Sequence, residues 1–244
     1  MHHLKITTSV RRSANYRISL ALVVSPVLSN IYLHKLDVYV ETVLIPQYTR
    51  GTHRRRNPEY ERIHSRMRRA RARGDRAQAR DLRRRLRRLP SGDPQDPGFR
   101  RLRYTRYADD HLLGFIGPKA EAEAIKDQLE RFLRDDLTLE LHPDKTLITH
   151  ARTRAARYLG YEIIVQHSDS RITNGRRMVN GVVALRVPLD VIKAKCAPYR
   201  RHGKPWHRPV LQNLDDYDIV ATFGAEYRGI VGYYRLAKDV WRLG

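Results

Sequence analysis

The sequence predicts an α+β fold in which helices pack on one face of an antiparallel sheet. Three observations predict it. From Leu102 to Phe115, β-forming residues flank an Asp-Asp pair, the pattern of strand, tight turn and strand. From Pro118 to Asp136 an amphipathic helix carries Ile125, Leu129, Phe132 and Leu133 on one face. Short strands alternating with turns then run on to Val165.

Taken in order, residues 1–18 form a separate N-terminal segment without a signal-peptide core. Leu20 to Val24 is an apolar run, and Ser25-Pro26 is a helix-start signal. The spacing predicts a core helix over Val27 to Leu44, with Leu28, Ile31, Tyr32, Leu36, Val40 and Val43 on its buried face. Asn57 to Leu89 reads as a helical hairpin, opened by Pro58, broken at Gly74-Asp75 and closed by the loop Pro90 to Pro94. Its apolar stripe is thin: Ile63, Met67, Leu82, Leu86 and Leu89. Beyond the Asp pair, Leu137 to Leu141 is a short strand. His142 to Thr146 turns into Leu147-Ile148-Thr149, and Arg157 to Val165 is a further strand. Val187 to Tyr199 reads as a helix with Pro188 in its first turn. Asp216 to Lys238 reads as another, with Phe223, Tyr227, Ile230, Val231 and Tyr234 on a stripe that predicts packing.

Charge narrows the partner. The 244 residues carry 48 Lys and Arg against 26 Asp and Glu, a net +22. Arg50 to Arg106 alone holds 21 Arg, no Lys and six acids, so about two-thirds of the excess lies there. Such a stretch is either a solvated, self-repelling excursion or a phosphate-binding one, because so many like charges are costly without counterions. No apolar run approaches the ~20 residues of a membrane span, so nucleic acid leads over a membrane. Cys196 is the only cysteine, which excludes an intramolecular disulfide and a Cys-rich zinc site. His2-His3 reads as a fraying terminus.

Chemistry concentrates at Asp109-Asp110. On a straight strand adjacent side chains diverge, whereas at a turn both carboxylates can converge. Adjacent carboxylates repel each other unless a cation neutralises them, and all-oxygen ligation suits Mg²⁺, with Mn²⁺ as a substitute. An ordinary Asp-Asp turn remains the alternative. Arg200 to Pro209 interleaves cations with Trp206, which suits unpaired RNA bases or, equally, a Trp pinning a Pro-rich loop.

Four ordered blocks carry a resemblance. Tyr107-Ala108-Asp109-Asp110 resembles the active-site hairpin of reverse transcriptases. Ser25-Pro26 with Leu28, Asn30, Ile31, Tyr32, Leu36 and Asp37 resembles their palm helix, and Asp144-Lys145-Thr146 and Tyr158-Leu159-Gly160-Tyr161 resemble the next two blocks. Gly203 to Pro209, Tyr217, Ile219, Val220, Glu226 to Gly229 and Gly232-Tyr233-Tyr234 resemble the maturase domain of group II intron-encoded proteins.

The resemblance implies a partial right-hand polymerase palm over residues 19–165, interrupted by the Arg-rich excursion at 50–100. A partial thumb and maturase segment over 166–244 follows. It implies two-metal nucleotidyl transfer, with Asp109 and Asp110 as metal ligands and Lys145 steadying or protonating the departing pyrophosphate. Tyr158, Leu159 and Gly160 would form the primer grip, and Ser25, Pro26, Asn30, Arg54, Arg55, Arg56, Arg106, Tyr107, Lys204, Trp206 and Arg208 would contact nucleic acid. Implied partners are group II intron RNA, a DNA target or primer, dNTPs and a second chain. The implied location is the prokaryotic cytoplasm, with RNA or nucleoid.

Departures from the family qualify this. Family members carry a further metal-binding Asp on a palm strand upstream of the Ser-Pro helix, and here no Asp or Glu precedes Asp37. Leu20-Ala21-Leu22 stands where the family has Gln-Gly-Gly. The expectation is a chain truncated at both ends, lacking the fingers and the upstream palm strand, and not self-sufficient for polymerisation. A non-catalytic RNA-binding splicing maturase and a decayed remnant are the alternatives.

Overall fold

The protein's structure is a computed structural model that describes residues 3–11, 24–168, 172–173, 176–177 and 181–243. The run Leu20 to Val23 lies outside the described residues, as do the side chains of Ser25 and Pro26. Contacts divide the chain into two compact units, Met1–Ala156 with Val165–Val182 and Arg157–Ile164 with Val183–Gly244. Both contain helix and antiparallel strand, as the sequence predicts.

The first unit is organised around five strands: β1 (His3–Arg11), β2 (Arg101–Tyr107), β3 (Asp110–Ile116), β4 (Glu140–Leu141) and β5 (Leu147–His150). β2 and β3 form the predicted hairpin. Tyr107 pairs with Asp110, so only Ala108 and Asp109 connect them. β1 lies between β3 on one side and β4 and β5 on the other. β1 falls within residues 1–18, to which the sequence analysis assigns no strand. Its signal is in the sequence, because Leu4, Ile6 and Val10 alternate with polar residues in a β-branched run. Ser9 stands opposite Asp110 in the register.

Helix α1 (Val24–Tyr39) continues through a π-helical turn (Val40–Leu44) into the short α2 (Ile45–Gln47). The wider turn falls where Pro46 removes an N–H from the ladder. There Ile45 N–H bonds to Val40 O, five residues back. The buried face of α1 differs from the predicted one. Leu33, Leu36, Val40 and Leu44 are buried, while Val27, Leu28, Ile31, Val38 and Val43 are exposed. The helix is apolar on both sides, so its periodicity fits two orientations, and only non-local contacts choose between them.

Helices α3 (Pro58–Ala72) and α4 (Arg76–Leu86) make the predicted hairpin. Asn57 accepts from Glu59 N–H and Asp75 from Gln78 N–H, each capping its helix, with Gly74 left-handed between them at φ +76°. The hairpin has its own small core: Met67, Ala70, Ala79, Leu82 and Leu86, flanked by Tyr60 and Ile63. Helix α5 (Lys119–Leu137) buries Ala122, Ile125, Leu129, Leu133 and Leu137 in one core with α1, Leu102 of β2, and Leu113 and Phe115 of β3. Each such leucine contributes about 1.5–3 kcal/mol by leaving water.

β6 (Ala156–Tyr158), β7 (Tyr161–Val165) and β10 (Val183–Arg186) form a three-stranded sheet, nearly all of it in the second unit; β8 (Ile172–Thr173) and β9 (Arg176–Arg177), which belong to the first unit, pair with each other. Helix α6 (Leu189–Cys196) runs into a 3₁₀ turn (Ala197–Tyr199). A small hairpin of β11 (Arg200–Arg201) and β12 (Lys204–Pro205) follows, and then α7 (Asp216–Tyr233). α7 stops before the predicted Lys238, and none of its residues is fully buried. Tyr227 is exposed, and the burial falls on Tyr234 and Ala237 just beyond its end, against Val187.

Candidate metal and nucleic-acid site

The Asp hairpin turns through a residue in the left-handed region. Ala108 has φ +54°, a conformation that costs an L-residue about 1–2 kcal/mol. Asp109 is exposed at the tip, while Asp110, the first residue of β3, is half-buried. Along β3 burial alternates, so His111, Leu113 and Phe115 face the core while Asp110 faces away from it. Burial pushes the Asp110 carboxyl up, the Asp109 charge adds to this, and the Lys145 ammonium opposes it. The structure thus brings Lys145 into the electrostatic field of the pair. Lys145 is exposed on the turn His142 to Thr146, which Thr146 closes by donating to His142 O through both its N–H and its hydroxyl, at 2.9 and 2.8 Å.

Behind the turn lies a polar network. Arg106 Nε and Nη2 donate to the two oxygens of Asp37 at 2.8 and 2.6 Å, a bidentate pair. Arg106 Nη1 donates to Asn30 Oδ1 at 2.9 Å and to Ala108 O at 2.7 Å. Tyr104 donates to Asp37 Oδ1 at 2.8 Å. Burial alone would raise Asp37, but the hydrogen bonds from Arg106 and Tyr104 outweigh it and hold the carboxyl below its usual range. Burial and the Asp37 carboxylate push the Tyr104 hydroxyl well above its ordinary value. Beside them His111 is fully buried, and burial pulls its pKa down to about 4, so the ring is neutral at pH 7. Its Nε2 has no partner among the described residues.

Arg54, Arg55 and Arg56 sit at the root of the α3–α4 hairpin, and all three are engaged within the protein. Arg55 pairs with Asp93 at 2.6 Å, and its N–H bonds to Asp96 Oδ2 at 2.7 Å. Arg54 lies over the Phe99 ring at 5.1 Å. Arg56 is exposed and reaches Glu61 at 3.1 Å. Hydrogen bonds from the backbone and from Arg55 hold Asp93 and Asp96 below the usual carboxylate range. Gly51 is fixed by close approach, because a Cβ there would stand 2.5 Å from Gly98 O. Farther out, Arg62, Arg66, Arg69, Arg80, Arg83 and Arg84 are all exposed on α3 and α4.

In the second unit the connection between β6 and β7 is Leu159-Gly160, both left-handed at φ +47° and +73°. Tyr233 donates to Leu159 O at 3.0 Å and Tyr234 to Gly160 O at 3.2 Å, while Tyr161 donates to Tyr233 O. Arg208 is held by Glu226 at 2.7 Å, and Glu226 also accepts from Tyr199. Lys204 is exposed. So is Trp206, with Arg201 over its ring at 4.9 Å.

No family model matches the chain. It is 33% identical over 235 aligned residues to the group II intron-encoded protein LtrA of Lactococcus lactis subsp. cremoris, an alignment covering 89% of this chain and 39% of that protein. Its relatives over about nine-tenths of the chain are group II intron-encoded proteins. The chain is also 28% identical over 236 residues to the putative COX1/OXI3 intron 1 protein of Saccharomyces cerevisiae, covering 90% of the chain and 28% of that protein. It is 38% identical over 149 residues to the uncharacterized mitochondrial protein ymf11 of Marchantia polymorpha, covering 58% and 18%. It therefore spans well under half the length of these relatives.

Sequence reasoning names Asp109, Asp110 and Lys145 as candidates but does not find the hydrogen bonds that Tyr104 and Arg106 make to Asp37. An acid two helical turns from Asn30 is the available signal, but its partners Tyr104 and Arg106 lie 67 and 69 residues away. Among the described residues no cluster of three or more His, Cys, Asp or Glu is placed to hold a metal, and no helix is long and apolar enough to cross a membrane.

Proposed function

We propose that this chain carries part of the palm and thumb of a group II intron-type RNA-directed DNA polymerase and maturase, and that it binds intron RNA without being self-sufficient for DNA synthesis. The observation that carries this reading is the two-residue turn that displays Asp109 and Asp110 within the electrostatic reach of Lys145, in a chain similar to group II intron-encoded proteins over about nine-tenths of its length. Two adjacent carboxylates, one exposed and one half-buried, fit a single Mg²⁺ (or Mn²⁺) that completes its shell with water and phosphate oxygens. They do not by themselves fit a pair of ions, and Ser9 rather than a carboxylate stands opposite Asp110. Mg²⁺ bound there would supply polarisation of a phosphoryl oxygen.

The chain's own residues would do the rest. Asp109 and Asp110 bind, and Lys145 offers a compact positive charge and a proton to a departing phosphate oxygen. The exposed arginines of α3 and α4 engage phosphates, supported by their outward placement and by the absence of Lys from the stretch. Lys204 and Trp206 offer a cation and a stacking face to an unpaired base. A DNA primer, dNTPs and a second chain supplying further palm and fingers complete the reading.

The test is primer extension on an RNA template in Mg²⁺, run beside RNA-binding titrations over a salt series. Expected is no cDNA from the chain alone, since losing one such electrostatic group commonly costs about 10²–10³ in rate. Binding should persist and weaken steeply with salt. Robust extension that disappears in Asp109→Ala would overturn the claim that the chain is not self-sufficient, and salt-insensitive or absent binding would overturn the RNA reading.

A further inference from the structure

We propose that Asp37 is a positioning residue for the Asp109-Asp110 pair, acting through Arg106 on the carbonyl of Ala108, and that Arg106 and Asn30 serve this strut rather than a nucleic-acid phosphate. The inference deepens the metal-site reading above and rests on it for its consequence, but not for its geometry.

Asn30 and Asp37 are seven residues apart on α1, two turns, and so share one helix face. Tyr104 and Arg106 are two apart on β2 and share one face of the sheet. Where these faces meet, the Arg106 side chain is only 12% exposed and that of Asp37 24%. Four of the five guanidinium N–H groups have acceptors: two in the Asp37 carboxylate, one in Asn30 and one in Ala108 O. A guanidinium so occupied has little left to offer a phosphate. Tyr104 closes the network from the other side by donating to Asp37.

The bond to Ala108 gives the network its consequence. Ala108 holds a left-handed φ of +54° without being glycine, in a turn of only two residues. Its carbonyl belongs to the peptide plane that leads directly into Asp109. Fixing that oxygen at 2.7 Å from Arg106 fixes the plane, and with it the direction in which the Asp109 carboxylate leaves the turn. Arg suits the task because its planar fork reaches three acceptors at once; the point charge of a Lys cannot span them. The brace bonds to the turn's backbone and to neither carboxylate, so it leaves both free to take a ligand.

The full chain can be compared with Arg106→Lys, Asp37→Asn and the milder Tyr104→Phe, with Asp109→Ala as the metal-site control. Three readouts are needed: amide hydrogen exchange at Asp109 and Asp110, Mn²⁺ binding by electron paramagnetic resonance, and thermal melting. Expected for Arg106→Lys and Asp37→Asn is about tenfold faster exchange at the two turn amides than the change elsewhere in β2 and β3. Mn²⁺ affinity should fall about 10- to 100-fold, the usual effect of losing a partner behind a metal ligand. Tyr104→Phe, which keeps the ion pair, should show the same pattern more weakly and still fold. A merely structural role would lower the melting temperature and raise exchange evenly across the hairpin, and that result overturns the inference. If the wild-type chain binds no Mn²⁺ that Asp109→Ala removes, the metal-site reading fails and takes the consequence for affinity with it. The exchange data then still decide whether the strut holds the turn.

Discussion

Two tight turns in this chain solve one conformational problem in opposite ways. Ala108-Asp109 and Leu159-Gly160 each join two strands through two residues, and each contains a non-glycine residue with positive φ. The first is braced on its backbone by a half-buried Arg-Asp pair and keeps its side chains bare. The second is gripped by phenols. Tyr233 and Tyr234 bond to its two carbonyls, and Tyr233 lies so close that a Cβ on Gly160 would stand 2.9 Å from its hydroxyl. A turn that displays its residues takes support from behind and tolerates an alanine. A turn that is covered needs glycine where the cover lies. The first therefore suits a site that meets a ligand, and the second suits a fixed join.

The contrast can be broken most severely at its ionic side. Arg106→Met leaves Asp37 partly buried without its cation, and the first unit should lose about 2–4 kcal/mol in denaturant melts while the second is unaffected. An effect below ~1 kcal/mol would mean that the pair is a surface bridge.

Acid should produce a loss of similar size in the same unit. The folded-state pKa of His111, about 4, lies below its ordinary 6.5, so the unfolded chain binds the proton more readily. The stability held by the neutral ring is fully present above pH 6.5 and disappears as pH falls through 4. The total is on the order of 3 kcal/mol. Melting curves of His111→Leu should lack this part of the acid dependence, and an unchanged pH profile would remove His111 from the account.

The two turns themselves respond in opposite directions. Gly160→Ala forces a side chain into a left-handed residue facing Tyr233 and should cost about 1–2 kcal/mol. Ala108→Gly relieves a strained residue, partly offset by added freedom in the unfolded chain, and should stabilise by about 0.5 kcal/mol. If both substitutions move the melting temperature the same way, the contrast between a bare and a covered turn is wrong.

What could be read from the sequence follows the range of the forces involved. The Asp hairpin, α5 and the α3–α4 hairpin were legible because their signals are local: strand formers around a turn, a clean apolar stripe, Asn57 and Asp75 as caps, Gly74 as breaker. The facing of α1 was not, because apolar residues surround it and its orientation depends on Tyr104 and Arg106, far along the chain. β1 was overlooked although Leu4, Ile6 and Val10 alternate, because residues 1–18 share no family motif. Arg54, Arg55, Arg106 and Arg208 are expected from the sequence to contact nucleic acid; in the fold Arg54 stacks on a ring and the other three pair with Asp93, Asp37 and Glu226, which only the fold brings near.

The root of the α3–α4 hairpin has a consequence for how such a chain can change. Its two strands of backbone leave and return side by side, bridged at Arg50 with Arg100 and at Arg56 with Gly92, and its helices pack mainly on each other. Residues gained or lost beyond Arg56 and Gly92 leave the spacing at the root untouched and therefore do not shift the register of β2 against β3. The excursion is thus free to drift in length, as a replaceable cassette, while the position of Asp109 stays where the sheet puts it.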